Sequence, residues 1–402
     1  MISVLQADAF IKQYPLRLQP VSCALESAVG RVLQEALRAD RDSPAENCSA
    51  MDGIAISFSA WENGCREFRV HGTQKAGMPQ TVLEAPRSCF EIMTGAVMPK
   101  GSDTVIPVES VVIKDGAAVV SPGSAAQAGQ FVRHKGKNYR HGDVLLQNGT
   151  LMTPFSVGVC ASAGRPEVLV KAMPRIAFVE TGDEVVPFAG PVLAHQVRSQ
   201  NAPSVEAALC RHGFTDNVFT RVQDDEALLA ETLDKLLADH DMLLLNGGVS
   251  MGRYDFGPRV LEGLGVKPVF YKVSQRPGKP LWFGIAPGNK PVYGLPGNPV
   301  STLICVYRYV LPFLFYSAGL TSPLSEMAFL ADDYDNSSDL TVFFPVAYCS
   351  QENAPGLKTL LSYSGSDDTL SFNASSGFVE IPPGTLIRKG RDPVRYVRWV
   401  LG

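Results

Sequence analysis

Gly247-Gly248-Val249-Ser250 stops an apolar run that begins at Met242, and Asp255 follows closely. Such a run is a strand buried on both faces, and paired glycines let the backbone turn sharply and let a ligand come near it. Similar groups recur beyond other strand-like runs. Thr181, Gly182, Asp183 and Glu184 follow 175–179, and Asp224 and Asp225 follow 217–221. Lys272, Arg276 and Lys279 lie in and beyond 269–273, and Pro296, Asn298, Pro299 and Ser301 follow 292–295. Glycine turns with free N–H groups, joined by Lys and Arg, hold phosphates or an oxyanion. Carboxylates beside them hold Mg2+, which prefers oxygen ligands and bridges phosphate oxygens. The residue types therefore point to Mg2+-assisted chemistry on a pyrophosphate-containing ligand. Singly, each piece also has a plainer reading: Gly247-Gly248 as a tight turn, Asp224-Asp225 as a helix start, Asp52-Gly53 as a turn into a strand.

The elements that must position these groups alternate. From 174 to 318 the pattern is strand, helix, strand, with helices expected over 204–212, from Asp224-Asp225 onward, over 258–264 and over 300–318. That is a three-layer α/β block, and if its strands are parallel the polar groups converge on one edge, where open α/β sheets bind ligands. Residues 66–138 are short apolar runs between glycines and prolines, a small β domain that includes a basic loop with Arg133, Lys135 and Lys137. Residues 3–13 are expected to be helical, and 327–402 to form a small barrel or sandwich.

Composition narrows the partners. A net charge of −4 argues against a bulk nucleic-acid surface. Eight scattered cysteines without metal-ligand spacing suggest reduced thiols in a cytoplasmic protein, and six scattered histidines suggest no zinc site. The longest apolar candidate, near 300–318, is interrupted by Arg308 and Pro312, so no membrane span is expected. A P-loop and a GxGxxG fingerprint are both missing, which removes the main support for an ATPase or a Rossmann dehydrogenase.

Taken in order, the motifs resemble those of the molybdopterin molybdenumtransferases, a family that includes the C-terminal domain of gephyrin. They are Ser49-Ala-Met-Asp-Gly53, Met93-Thr-Gly-Ala-Val-Met-Pro99 with Asp103 and Glu109, the stretch 129–136, Thr181-Gly-Asp-Glu184, Gly247-Gly-Val-Ser250 with Gly252 and Asp255, Pro277-Gly-Lys-Pro280 and Leu295-Pro-Gly-Asn-Pro-Val-Ser301. The resemblance implies a multidomain α/β plus β fold: an N-terminal helix in 1–19, a discontinuous linking domain of 20–42 and 139–173, a small β domain of 43–138, a three-layer molybdopterin-binding domain of 174–326 and a C-terminal β barrel of 327–402. It also implies a reaction, in which adenylylated molybdopterin loses AMP and molybdate enters the dithiolene, with Mg2+ as the cation. A homodimer with intersubunit sites is implied, and a molybdopterin adenylyltransferase is the expected partner.

Carried over by position, Asp52, Thr94 and Arg133 line the β-domain side. Glu184, Asp225 and Asp255 handle Mg2+ and pyrophosphate. Lys272, Arg276 and Lys279 face the anion. Thr181, Gly182, Asp183, Gly247, Gly248, Ser250, Pro296, Asn298, Pro299 and Ser301 bind the pterin ligand. The chain departs from the family at Ile54 (usually Tyr), Asn138 (usually an acid), Arg276 (usually Lys), Ser199-Gln200 (usually acid-Ser) and near 340–344, where a Gly-Arg pattern is usual. Those departures motivate the alternative of a non-catalytic pterin- or nucleotide-binding or scaffold paralogue.

Overall fold

The computed structural model describes residues 1–249, 256–348 and 357–399. Two compact units emerge, one of Cys23–Val29 and Leu33–Val168, the other of Met1–Ser22, Gly30–Val32 and Leu169–Gly402.

In the first unit, the short apolar runs become strands β1 (Cys48–Ser49), β2 (Gly53–Ile56), β3 (Glu67–Gln74), β4 (Ser88–Ile92), β5 (Thr104–Pro107), β6 (Val111–Lys114), β7 (Ala117–Val120) and β8 (Val132–Arg133). Six of them form one sheet in the order β5-β2-β4-β3-β7-β6. Ile54, Ile56, Trp61, Phe68 and Ile106 close its core. Ile54, which follows the Met51-Asp52-Gly53 motif, is thus a core side chain. Strands β1 and β8 pair separately, with Arg133 opposite Cys48. A discontinuous portion completes the unit: strands Leu37–Arg38 and Val144–Leu146 pair, and helix Pro154–Ser162 lies against the turn Leu25–Ser27.

The second unit carries the α/β block. Its helices are α1 (Val4–Ile11), α2 (Asn201–Arg211), α3 (Glu226–Asp239), α4 (Gly257–Gly263) and α5 (Pro299–Ala318). Its sheet is built from β9 (Ile176–Thr181), β10 (Asn217–Val222), β11 (Met242–Asn246), β12 (Lys267–Tyr271), β14 (Trp282–Ala286) and β15 (Lys290–Leu295), with β13 (Gln275–Arg276) standing outside it. The strand order is β10-β9-β11-β15-β14-β12. Alternate residues face opposite layers, as strand geometry requires. Ile176, Phe178, Met242 and Leu244 pack with α1, α2 and α5, while Ala177, Val179, Leu243 and Leu245 pack with α3 and α4.

The sheet is mixed rather than all parallel. Strands β10, β9, β11 and β15 are parallel, β14 runs against β15, and β12 runs against β14. Two reversals restore the direction, so β12 ends on the same edge as β9, β11 and β15. The convergence expected from a parallel sheet is therefore kept by a different route.

Helix α2 begins at Asn201, three residues before the expected start, because Pro203 is harmless in a first turn where no N–H is needed. Helix α5 runs straight through Arg308 and Pro312. A π-helical turn, Val306–Val310, precedes Pro312 and widens the helix at the carbonyls its ring would strike. By length and composition α5 could cross a membrane, but 83% of its apolar window is buried inside the protein.

The C-terminal strands β16 (Ser325–Leu330), β17 (Thr341–Tyr348), β18 (Leu357–Leu360), β19 (Gly377–Ile381) and β20 (Pro393–Arg398) close into a five-stranded barrel, β17-β18-β16-β20-β19 and back to β17. Closure removes the free edges. Helix α6 (Thr369–Asn373) lies between β18 and β19 in the chain.

Candidate active site

Beyond β11 the backbone turns through Gly247 and Gly248, both left-handed at φ +82° and +60°. A Cβ at Gly247 would stand 2.9 Å from both the carbonyl oxygen and Oγ1 of Thr181. Only glycine lets these two strand ends lie so close. A buried polar network fixes the neighbouring turn. Asn246 donates to the Pro296 carbonyl at 2.7 Å, Asn201 donates to Asn246 Oδ1 at 2.8 Å and to the Gly297 carbonyl at 2.7 Å, and Thr302 donates to the Pro296 carbonyl at 2.6 Å. Each of these buried amides needs partners, so the network sets the Pro296–Pro299 turn against the Gly247 turn.

Acidic groups gather at one end of this crevice. Glu184 and Asp225 are exposed beyond the adjacent strands β9 and β10. Asp225 caps α3 by accepting the Leu228 N–H at 2.8 Å, and Asp183 accepts the Asp224 N–H at 3.1 Å. Glu184 folds back over Gly182, where a Cβ would meet both carboxylate oxygens at about 3 Å. Ser250 and Asp255 lie outside the described residues. Among the described residues, no group of three or more His, Cys, Asp or Glu is placed to hold a metal ion.

Basic groups stand at the other end. Arg276 and Lys279 line a cleft of about 810 Å³ with Pro296, Asn298 and Ser301. Its far wall is supplied by the barrel region: Leu340, Phe344 and the segment 362–366. Strand β13 pairs with β17, Gln275 beside Thr341, which ties the basic turn to the barrel. Asn298 Nδ2 donates to Ser366 Oγ at 2.5 Å. Lys272 does not line this cleft; its ammonium sits 4.8 Å over the ring of Tyr271.

The turn carrying Arg276 and Lys279 is built around buried Gln275, whose Nε2 donates to the Gly278 carbonyl at 3.0 Å and whose Oε1 accepts from the Tyr309 hydroxyl. Gly278 is left-handed at φ +89°, and a Cβ there would lie 2.6 Å from Gln275 Nε2 and 2.9 Å from Cys305 Sγ. Because Gln275 is pinned, Gly278→Ala is expected to destabilise this unit by about 1–3 kcal/mol. Urea unfolding monitored by tryptophan fluorescence measures it, and an unchanged midpoint contradicts it.

On the first unit, Asp52, Thr94 and Arg133 come from segments that are stitched together. Ala50 N–H donates to the Phe131 carbonyl at 2.8 Å and Gly95 N–H to the Ser49 carbonyl at 2.8 Å. Asp52 Oδ1 accepts both the hydroxyl and the backbone N–H of Thr94, at 2.7 and 2.6 Å. The Thr94 hydroxyl first, and its N–H second, hold the Asp52 carboxyl below the usual carboxylate range. The interaction is thus present above the ordinary carboxylate pKa and is lost as pH falls through the depressed one. Thr94→Val is expected to raise the Asp52 midpoint toward the ordinary value of about 3.9. Carboxyl-carbon NMR titration reads this directly, and an unmoved midpoint rules the account out. Asn138 donates to Ser43 Oγ at 3.2 Å.

Residues 2–164 match the family described as MoeA N-terminal region (domain I and II), and residues 177–316 match the one described as probable molybdopterin binding domain. A molybdopterin molybdenumtransferase from Synechocystis is 34% identical over 95% of this chain and 96% of its own length. The chain belongs to the molybdopterin molybdenumtransferase family. Another relative of that name, from Synechococcus elongatus, is 37% identical over 76% of this chain and 77% of its own. The fold is shared with the crystal structure of a molybdopterin biosynthesis MoeA protein from Pyrococcus horikosii, at a TM-score of 0.83 and 24% identity over the full length of both chains.

Against the family pattern, the structure adds a residue that sequence reasoning passed over. Glu180, next to last in β9, is 4% exposed. Burial pushes the Glu180 carboxyl up, opposed by the nearby Ser199 side chain, the Ala202 backbone and Arg221. The signal was a charged residue ending an otherwise apolar strand. The barrel wall at 362–366 was also missed, since Ser362-Tyr-Ser-Gly-Ser366 reads only as a polar turn.

Proposed function

We propose that this chain catalyses the molybdenum-inserting step of molybdenum cofactor biosynthesis. Adenylylated molybdopterin and molybdate are the substrates, and AMP is released as the phosphoanhydride is split. The observation that carries the reading is the layout of the crevice. From β10 to β12 the sheet spans five strand spacings of about 4.8 Å, or about 24 Å. Carboxylates lie at one end, glycine turns in the middle, and a cationic cleft at the other. That suits an elongated ligand with a pyrophosphate within it better than a compact one. The glycine turns admit the phosphates to the backbone, and Arg276 and Lys279 offset anionic charge where it collects.

Glu184 and Asp225 are the proposed Mg2+ ligands, with Asp255 as a third. The donor set fits, since Mg2+ takes hard oxygen ligands and is commonly held by one or two carboxylates together with substrate phosphates. When bound, the ion would neutralise charge on the phosphoanhydride oxygens. Asp225 caps α3 through Oδ1, which holds the carboxylate at the strand end.

A homodimer is part of the proposal, in which the exposed Asp52–Thr94–Arg133 edge of a second copy completes each crevice. So is a hand-over of substrate from a molybdopterin adenylyltransferase. A cytoplasmic setting is supported by the cysteines, all free among the described residues. The test is to incubate the purified protein with adenylylated molybdopterin, Mg2+ and molybdate. AMP and molybdenum-loaded pterin are expected. Tight binding of the nucleotide without AMP, where an active relative turns over, would replace the enzyme with a carrier.

A further inference from the structure

The far wall of the cationic cleft is a short loop, 362–366, that belongs to no strand or helix. Such a loop keeps one shape only if its polar groups find partners. Two anchors stand near its ends. Tyr363 lies edge-on between Phe344 of β17 and Phe372 of α6, with ring centroids 5.3 Å from each. Ser366 reaches across to the opposite wall. Its hydroxyl accepts from Asn298 Nδ2, and its carbonyl accepts the Val300 N–H at 3.2 Å. Val300 lies in the first turn of α5, where N–H groups have no acceptor within the helix. The N-cap residue, Asn298, makes no side-chain bond to that turn. The loop therefore supplies a cap that α5 does not make for itself.

One carboxylate holds the loop in register between these anchors. Asp368 Oδ2 accepts the Ser364 N–H at 2.9 Å and the Ser364 hydroxyl at 3.1 Å. The same oxygen accepts the Ser371 hydroxyl at 2.7 Å, and Oδ1 accepts the Ser371 N–H at 3.1 Å. A group that caps α6 thus also grips the cleft wall, two positions before Ser366. The Ser364 N–H first, then the Ser371 hydroxyl and N–H, hold the carboxyl down at about 2, so it is charged at neutral pH.

We infer that Asp368 is a positioning residue of the cleft: by holding Ser364 it sets Ser366 against the start of α5, and so fixes the gap between the serine loop and the Arg276–Lys279 turn for the anionic ligand. Each link lies within one unit. A residue that only capped α6 would leave the Val300 amide untouched. The kinetic part of the test rests on the transferase reading; the structural part does not.

Three variants carry the test. In Asp368→Ala, amide hydrogen exchange is expected to quicken about tenfold at Ser364 and Ser371, which lose their acceptor, and also at Val300, which does not touch Asp368. The KM for adenylylated molybdopterin is expected to rise about tenfold with kcat changed less than about threefold, because the wall is met equally in ground and transition states. Asp368→Asn keeps the shape and one carbonyl oxygen, which guards against loss of folding; smaller changes in the same direction are expected. Ser371→Ala removes only a bond on the α6 side, and should leave Val300 exchange and KM within about twofold of the unaltered protein. Val300 exchange that stays native in both Asp368 variants, or that quickens as much in Ser371→Ala, overturns the inference. So does a fall in kcat at constant KM. Absence of AMP from the unaltered protein would remove the transferase reading, while the exchange at Val300 would still decide the role of Asp368.

Discussion

Arg308→Ala is expected to cost the α/β unit about 3–5 kcal/mol of stability, because it strips the cation from a buried ion-pair network. Arg308 is 1% exposed in the middle of α5. Its two terminal nitrogens donate to Asp8 of α1 at 2.8 Å each, and its Nε donates to Glu380 of β19 at 2.7 Å. One guanidinium therefore joins the N-terminal helix, the core helix and the barrel. The planar fork suits this, and a lysine could not make both pairs in the same geometry. Truncation would leave two carboxylates facing a cavity, with Arg395, 3.9 Å from Glu380, as the remaining cation. Urea unfolding should show the loss, and repeating the substitution in an Asp8→Asn, Glu380→Gln background should show a smaller one. A loss under about 1 kcal/mol in the first experiment would mean that the network is no stronger than a surface pair.

Lys279→Ala is expected to reduce AMP release by about 10²–10³-fold, the usual consequence of deleting one preorganised charge at a site where anionic charge develops. The fold should not suffer, since the lysine acts on it through its backbone: the carbonyl accepts the Val273 N–H at 3.0 Å, while the side chain is exposed along the cleft. Lys279→Arg should recover part of the rate, because charge is kept and shape is not. Initial rates at saturating molybdate, set beside urea midpoints, separate the two effects. A Lys279→Ala protein with a normal rate would detach the basic turn from the chemistry.

The α/β layers were legible because helical and strand periodicity differ, and because glycines mark the turns. Strand direction was not legible. Nothing in 281–285 or 292–295 says that β14 and β15 run against each other, since both are continuous apolar runs buried on two faces. Long-range pairings escaped for a related reason. Gln275 meets Thr341, and Asn298 meets Ser366, across separations that no local pattern encodes. Lys272 was grouped with Arg276 and Lys279 by its place at a strand end and by the family resemblance; its backbone is left-handed, φ +68°, and its ammonium lies over the Tyr271 ring, which no local pattern announces. Glu180 was hidden because a charge at the end of an apolar strand reads as the place where the strand meets water. In the folded chain it is buried instead, 4% exposed.

The Arg308–Asp8 pair joins residues 300 positions apart. At a synthesis rate of about 5–20 residues per second, α1 leaves the ribosome some 15–60 s before its partner arginine does. Through that interval Val4, Ala7 and Ile11, which the finished protein buries, have none of the α5 surface to pack against. A helix made well before its partner is therefore among the last to be seated, and nascent chains stalled before residue 308 should expose it to proteases and to chaperones that bind apolar segments.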